Sequence, residues 1–101
     1  MINVLIADDH ALVRQGLKRL LEEDPGIHVV AEAADGLSAE REYQRVHPDV
    51  AVLDIAMPVC DGLETIRRIL SIDPGARILM LTVYPEEQFA VRTLKAGALG
   101  Y

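Results

Sequence analysis

Short apolar runs alternate along the chain with longer stretches of helical period. INVLIA (2–7) has the composition of a buried strand, and HALVRQGLKRLLEED (10–24) follows with Val13, Leu17, Leu20 and Leu21 on one helical face. Pro25-Gly26 ends that helix. IHVVAEA (27–33) is rich in β-branched residues and half alternating, the pattern of a strand near a sheet edge. A second helix is predicted over 37–47, closed by Pro48, and VAVLD (50–54) is a third strand. Asp61, three residues before Glu64, makes a capping-box-like start for LETIRRILSI, with Leu63, Ile66, Ile69 and Leu70 inward. Asp73-Pro74-Gly75 turns the chain into a fourth strand, ARILMLT (76–82). Pro85 suits the first turn of a helix reaching about Ala96, Gly97 ends it, and ALGY opens a fifth strand.

Strands separated by helices of this length need parallel crossovers, so the fold class is α/β, a doubly wound parallel sheet with helices on both faces. Strands 1, 3 and 4 are almost uninterrupted apolar runs and are expected to be central. In the flavodoxin-like five-stranded order 2-1-3-4-5, the switch point lies between strands 1 and 3, and ligands bind beyond the carboxyl ends there.

Composition narrows the function. The 101 residues suffice for one small domain, residues 1–101, and half of them are hydrophobic with only 4% aromatic, which suits an aliphatic core. A formal net charge of −6 argues against these residues gripping a nucleic-acid backbone, which takes clustered Lys and Arg. The one cysteine, Cys60, excludes an internal disulfide and a cysteine cluster for zinc, and reads as a small loop residue. MINVLIADDH has no basic region before its acids, so it is no signal peptide, and no apolar run approaches the roughly 20 residues that span a bilayer. A cytoplasmic location without membrane attachment is expected.

The carboxyl ends of strands 1 and 3 carry Asp8, Asp9 and Asp54, and strand 4 ends in Thr82. Three carboxylates at one crevice repel: at about 5 Å and an effective dielectric of about 20, each pair costs on the order of 3 kcal/mol. A cation relieves that cost, and oxygen donors without nearby Cys favour Mg²⁺ before Ca²⁺. Taken alone, the Asp8-Asp9 pair reads more readily as a helix cap, and Asp54 alone is open to a role as a turn residue; their meeting at the switch point reverses that and favours a site. His10 is a further candidate ligand but is read as solvated, and His28 and His47 as surface residues without partners.

These residues resemble the receiver domain of two-component response regulators over the whole chain. The resemblance rests on Asp8-Asp9, Asp54, Met57-Pro58, Asp61-Gly62 and Thr82, each at its expected strand end or loop. ADDHALVRQGL, GLETIRRI and LKAGALGY further resemble the NarL/LuxR-type subfamily, whose members usually carry a C-terminal helix-turn-helix domain. The resemblance implies that Asp54 is the phosphoacceptor, taking a phosphoryl group from a sensor histidine kinase. It implies Mg²⁺ held directly by Asp9 and Asp54, through water by Asp8, and by the backbone carbonyl of Ala56. Thr82 and Tyr101 become the switch residues. A phosphorylation-dependent homodimer, and DNA contact only through a further C-terminal domain, are the partners it implies for transcription regulation. The chain would then be a phosphoacceptor rather than an enzyme, at most phosphorylating and dephosphorylating itself with Mg²⁺.

Two departures from the family matter. Its phosphate-contacting Lys falls just beyond Tyr101, so the domain is expected to be C-terminally incomplete, without the rest of strand 5 and helix 5. Ala56 and Tyr84 stand where polar and smaller residues would tune phosphoryl lifetime. Three alternatives stay open: a stand-alone receiver, an Mg²⁺-dependent phosphatase of haloacid-dehalogenase type, and an FMN binder. The phosphatase would want an acid where Ala56 stands, and the FMN binder a Ser/Thr/Gly-rich loop where ADDHAL stands.

Overall fold

In the computed structural model, which describes residues 1–54 and 62–81, each of the first three strands is followed by a helix that returns the chain to the same end of the sheet. The order is β1 (Ile2–Ala7), α1 (Ala11–Glu22), β2 (Ile27–Ala33), α2 (Gly36–Val46), β3 (Val50–Asp54), α3 (Gly62–Ile72) and β4 (Ile78–Leu81). All three strand pairs are parallel, in the order β2-β1-β3-β4. This is the predicted doubly wound arrangement for four strands. The predicted fifth strand, the helix over 85–96 and the Asp61 cap lie outside the described residues.

Alternation along the strands sends side chains to two cores. Leu5, Ala7, Leu53, Ile78 and Met80 point to the face covered by α2 and α3, meeting Ala39, Tyr43, Leu63, Ile66 and Ile69. Val4, Ile6, Val29 and Val52 point to the opposite face, where Leu17 and Leu21 of α1 pack with them. Fully burying a side chain such as Ile66 or Ile69 contributes about 1.5–3 kcal/mol. Two further bonds tie the α2–α3 side together. The buried Tyr43 hydroxyl donates to Asp73 Oδ2 at 2.7 Å, and Arg68 Nε donates to Glu40 Oε2. Among the described residues, no helix is long and apolar enough to cross a membrane.

Two details differ from the sequence expectation. The periodicity of α1 turns Val13, Leu17, Leu20 and Leu21 inward, yet Val13 is 44% exposed and Leu20 65%. Leu17 and Leu21, four apart, set the contact line; at about 100° per residue Val13 and Leu20 fall on its flank. β4 is also less enclosed than its apolar run suggests. Leu79 pairs beside Val52 on the α1 face but stays 42% exposed, because α1 lies over β2 and β1 rather than over β4.

Local signals set the ends of α2. The Asp35 carboxylate accepts from Ser38 N–H at 2.7 Å and caps its start. At its end His47 turns left-handed, φ 45°, and donates its N–H to Tyr43 O at 2.9 Å before Pro48. Beyond that turn the start of β3 is pinned to the start of β1: Asn3 N–H donates to Asp49 Oδ2 and Asp49 N–H to Asn3 O, both at 2.7 Å.

Candidate functional site

Register explains why the acidic residues meet. β1 and β3 are direct neighbours, with Ala7 opposite Leu53, so the residues that follow, Asp8 and Asp54, leave the sheet side by side. Asp8 extends the β1–β2 ladder by one bond, its N–H donating to Ala33 O at 3.0 Å. Its carboxylate is buried, with 5% of the residue exposed, and Oδ1 accepts from His10 N–H at 2.8 Å. Asp9 is more open, its side chain 30% exposed, and Asp54 is half-buried at the end of β3. One ligand atom each from Asp8, Asp9, His10 and Asp54 lie within 4.8 Å of one another.

The capping alternative for Asp8 and Asp9 does not hold. His10 is the N-cap of α1 and makes no side-chain cap bond; Asp8 Oδ1 serves His10 N–H, ahead of the helix. His10 is exposed, as its reading as a solvated residue expects, and it also meets the two carboxylates. Its side chain is 69% exposed, but Nδ1 lies 2.9 Å from Asp9 Oδ1 and 3.2 Å from Asp8 Oδ1. His28 is also partnered, Nδ1 lying 3.1 Å from Glu22 Oε2. His47 is an exposed surface residue, as expected.

Sequence reasoning missed Arg14. Its guanidinium donates to the Asp8 backbone carbonyl through Nη1, and Nε lies 3.5 Å from Glu32 Oε1 at the end of β2. Arg14 thereby braces the turn that presents Asp8. The signal was a cation near the positive end of a helix, where it is disfavoured unless a local acceptor or anion holds it. Of the other predicted residues, Ala56, Thr82 and Tyr101 lie outside the described residues, as do Met57, Pro58, Cys60, Asp61 and Tyr84.

The donor set is three carboxylates and one imidazole. Carboxylate oxygens gathered this closely suit a hard divalent cation, and a small one that keeps part of its water needs few of them.

Comparisons with known proteins agree with this architecture. Residues 4–101 match the family model described as the response regulator receiver domain. Response regulator UvrY of Escherichia coli K12 is 44% identical over 101 residues, all of this chain and 46% of the relative. Response regulator GacA of Pseudomonas viridiflava is 41% identical over 101 residues, all of this chain and 47% of the relative. The chain thus spans about half the length of the curated relatives it matches. Among solved structures, a LuxR-family two-component response regulator from Aurantimonas sp. SI85-9A1 superposes with a TM-score of 0.97 at 42% identity, covering all of this chain and 72% of that one. A CheX-CheY-BeF3-Mg²⁺ complex from Borrelia burgdorferi superposes at 0.92 and 32% identity, covering 97% of this chain and 74% of that one.

Proposed function

The chain belongs to the response regulator receiver family, and from that premise we propose that it is a phosphorylation-controlled switch whose phosphoacceptor is Asp54. The observation that carries the reading is the meeting of Asp8, Asp9 and Asp54 at the carboxyl ends of adjacent parallel strands, with ligand atoms within 4.8 Å. Asp54 is the nucleophile: a carboxylate oxygen forms the new P–O bond as the P–N bond to a phosphohistidine of a sensor histidine kinase breaks. Asp9 and Asp54 would hold Mg²⁺ directly, Asp8 through water, and the Ala56 backbone carbonyl would add an oxygen. When bound, Mg²⁺ supplies charge neutralisation between an anionic acceptor and an anionic phosphoryl group, which is most of what phosphoryl transfer needs.

The chain's own residues do the positioning. Arg14 and the Ala33 carbonyl fix the backbone of Asp8, and the β1–β3 register brings Asp54 level with it. Thr82 and Tyr101 are the residues that read the phosphoryl group, Thr82 by a hydrogen bond and Tyr101 by its rotamer. In the whole protein, phosphorylation favours a homodimer and controls a DNA-binding output domain, in a cytoplasmic transcription regulator. The names of the relatives support the regulatory role, and the Mg²⁺ of the similar Borrelia complex supports the metal.

Incubation with Mg²⁺ and a small acyl-phosphate donor is expected to add one phosphoryl group, read by intact mass, and none in Asp54→Asn. Undiminished labelling of the variant would overturn the assignment.

A further inference from the structure

β2 changes faces partway along. Ile27 and Val29 lie on the α1 side of the sheet with Val4 and Ile6, whereas Ala31 and Ala33 lie on the α2–α3 side with Leu5 and Ala7. Residues two apart on a regular strand share a face, so an extra residue stands between Val29 and Ala31. The β1–β2 register shows it: Val4 is opposite Val29 and Leu5 opposite Ala31, which leaves Val30 as a bulge. The shift puts Glu32 opposite Ile6, on the α1 side. In an unbroken register Glu32 would instead lie beside Ala7, facing α2 and α3.

On the α1 side Glu32 meets Arg14. The Arg14 side chain is only 20% exposed and stands near the start of α1, where the helix dipole opposes a cation. Glu32 Oε1, 3.5 Å from Nε, balances that charge, while Nη1 donates to the Asp8 carbonyl. The next residue of β2, Ala33, accepts from the Asp8 N–H at 3.0 Å. The last two residues of β2 thus hold both backbone groups of Asp8, one directly and one through Arg14. A fixed Asp8 carbonyl fixes the plane of the Asp8–Asp9 peptide, and with it the direction in which both carboxylates leave the strand. We propose that the Val30 bulge, Glu32 and Arg14 form a positioning device, which sets Asp8 and Asp9 relative to Asp54 and thereby the rate of phosphoryl transfer. Glu32 and Arg14 are positioning residues that act through the Asp8 backbone. The proposal rests on Asp54 being the phosphoacceptor, as read above.

Labelling of Asp54 by acetyl phosphate with Mg²⁺, followed by intact mass at several donor concentrations, tests it; acetate leaves as the Asp54 P–O bond forms. Glu32→Ala is expected to lower the maximal rate about threefold to tenfold, and Arg14→Met about tenfold or more. The half-saturating donor concentration should stay within about twofold of wild type in both. Arg14→Lys keeps the charge but not two separated donors, so its rate should stay closer to Arg14→Met than to wild type. The double variant should match Arg14→Met, because Glu32 acts through Arg14. Arg41→Met, on the exposed side of α2, should match wild type. Independently of phosphorylation, Glu32→Ala should shift the Arg14 Nε–H signal and the Asp8 and Asp9 amides in the ¹⁵N–¹H spectrum. Wild-type rates in Glu32→Ala and Arg14→Met, additive losses in the double variant, or full recovery in Arg14→Lys overturn the device. So does a loss of rate that only follows the loss of folded protein in thermal melts. If Asp54→Asn is labelled undiminished, the phosphoacceptor reading falls instead, and unmoved Asp8 and Asp9 amides in Glu32→Ala then overturn the device separately.

Discussion

His47 occupies the left-handed region at φ 45°, the one described non-glycine residue with positive φ, where a Cβ crowds the following carbonyl. Glycine is free of that crowding, offset in part by the freedom it adds to the unfolded chain. His47→Gly should therefore stabilise the domain by up to about 1 kcal/mol, and His47→Val should destabilise it. Urea midpoints for the two variants decide it; a lower midpoint for the glycine variant would show that the His47 side chain matters more than its backbone. Pro48 announced the end of α2, but nothing about a histidine announces a positive φ. The same contrast holds at the pocket. Asp8, Asp9 and Asp54 could be read from the sequence because strand ends and parallel register place them whatever their side chains do. The positions of His10 and Arg14 depend on how side chains turn back within one helical turn, which periodicity does not encode.

Among the elements, α2 is tied to the turn after α3 through Tyr43 and Asp73. Burial first, and then the Asp73 carboxylate that accepts its proton, push the Tyr43 hydroxyl above the ordinary phenol range. The folded chain thus holds this proton more firmly than the unfolded chain. The stability it confers is complete below the unfolded pKa, about 10, and is lost as pH rises above that value. Tyr43→Phe should cost about 1 kcal/mol near neutral pH and flatten the fall in stability above pH ~10. Thermal melts from pH 7 to 11 measure it, and parallel curves for the two proteins would count against the pairing. Strand and helix boundaries were legible to within two residues for the described elements, since Pro, Gly and Asp mark most ends. The packed face of α1 was legible only in part. Four apolar residues fit one helical face, and only the position of the sheet decides that Leu17 and Leu21 are its centre.

At the scale of the molecule, the net charge is −6, and three carboxylates gather at the switch point. Residues 1–101 are therefore expected not to bind duplex DNA at physiological salt, and a gel shift showing salt-resistant binding would contradict this. The sheet order of four strands was legible because strand–helix alternation leaves few right-handed ways to wind them. The Asn3–Asp49 pair gives that sheet a mechanical asymmetry. β1 and β3 are stapled by two short bonds at one end and carry like charges at the other, so the pair behaves as tweezers: a fixed pivot and jaws that push apart. A divalent ion held there, as proposed, would draw the jaws together without touching the pivot. Without an ion, amide deuterium uptake should rise along β1 from Val4 to Ala7, and Mg²⁺ should slow it at Ala7 while leaving Val4 unmoved. Even protection along the strand, indifferent to Mg²⁺, would mean that the staple and the charges are not mechanically coupled.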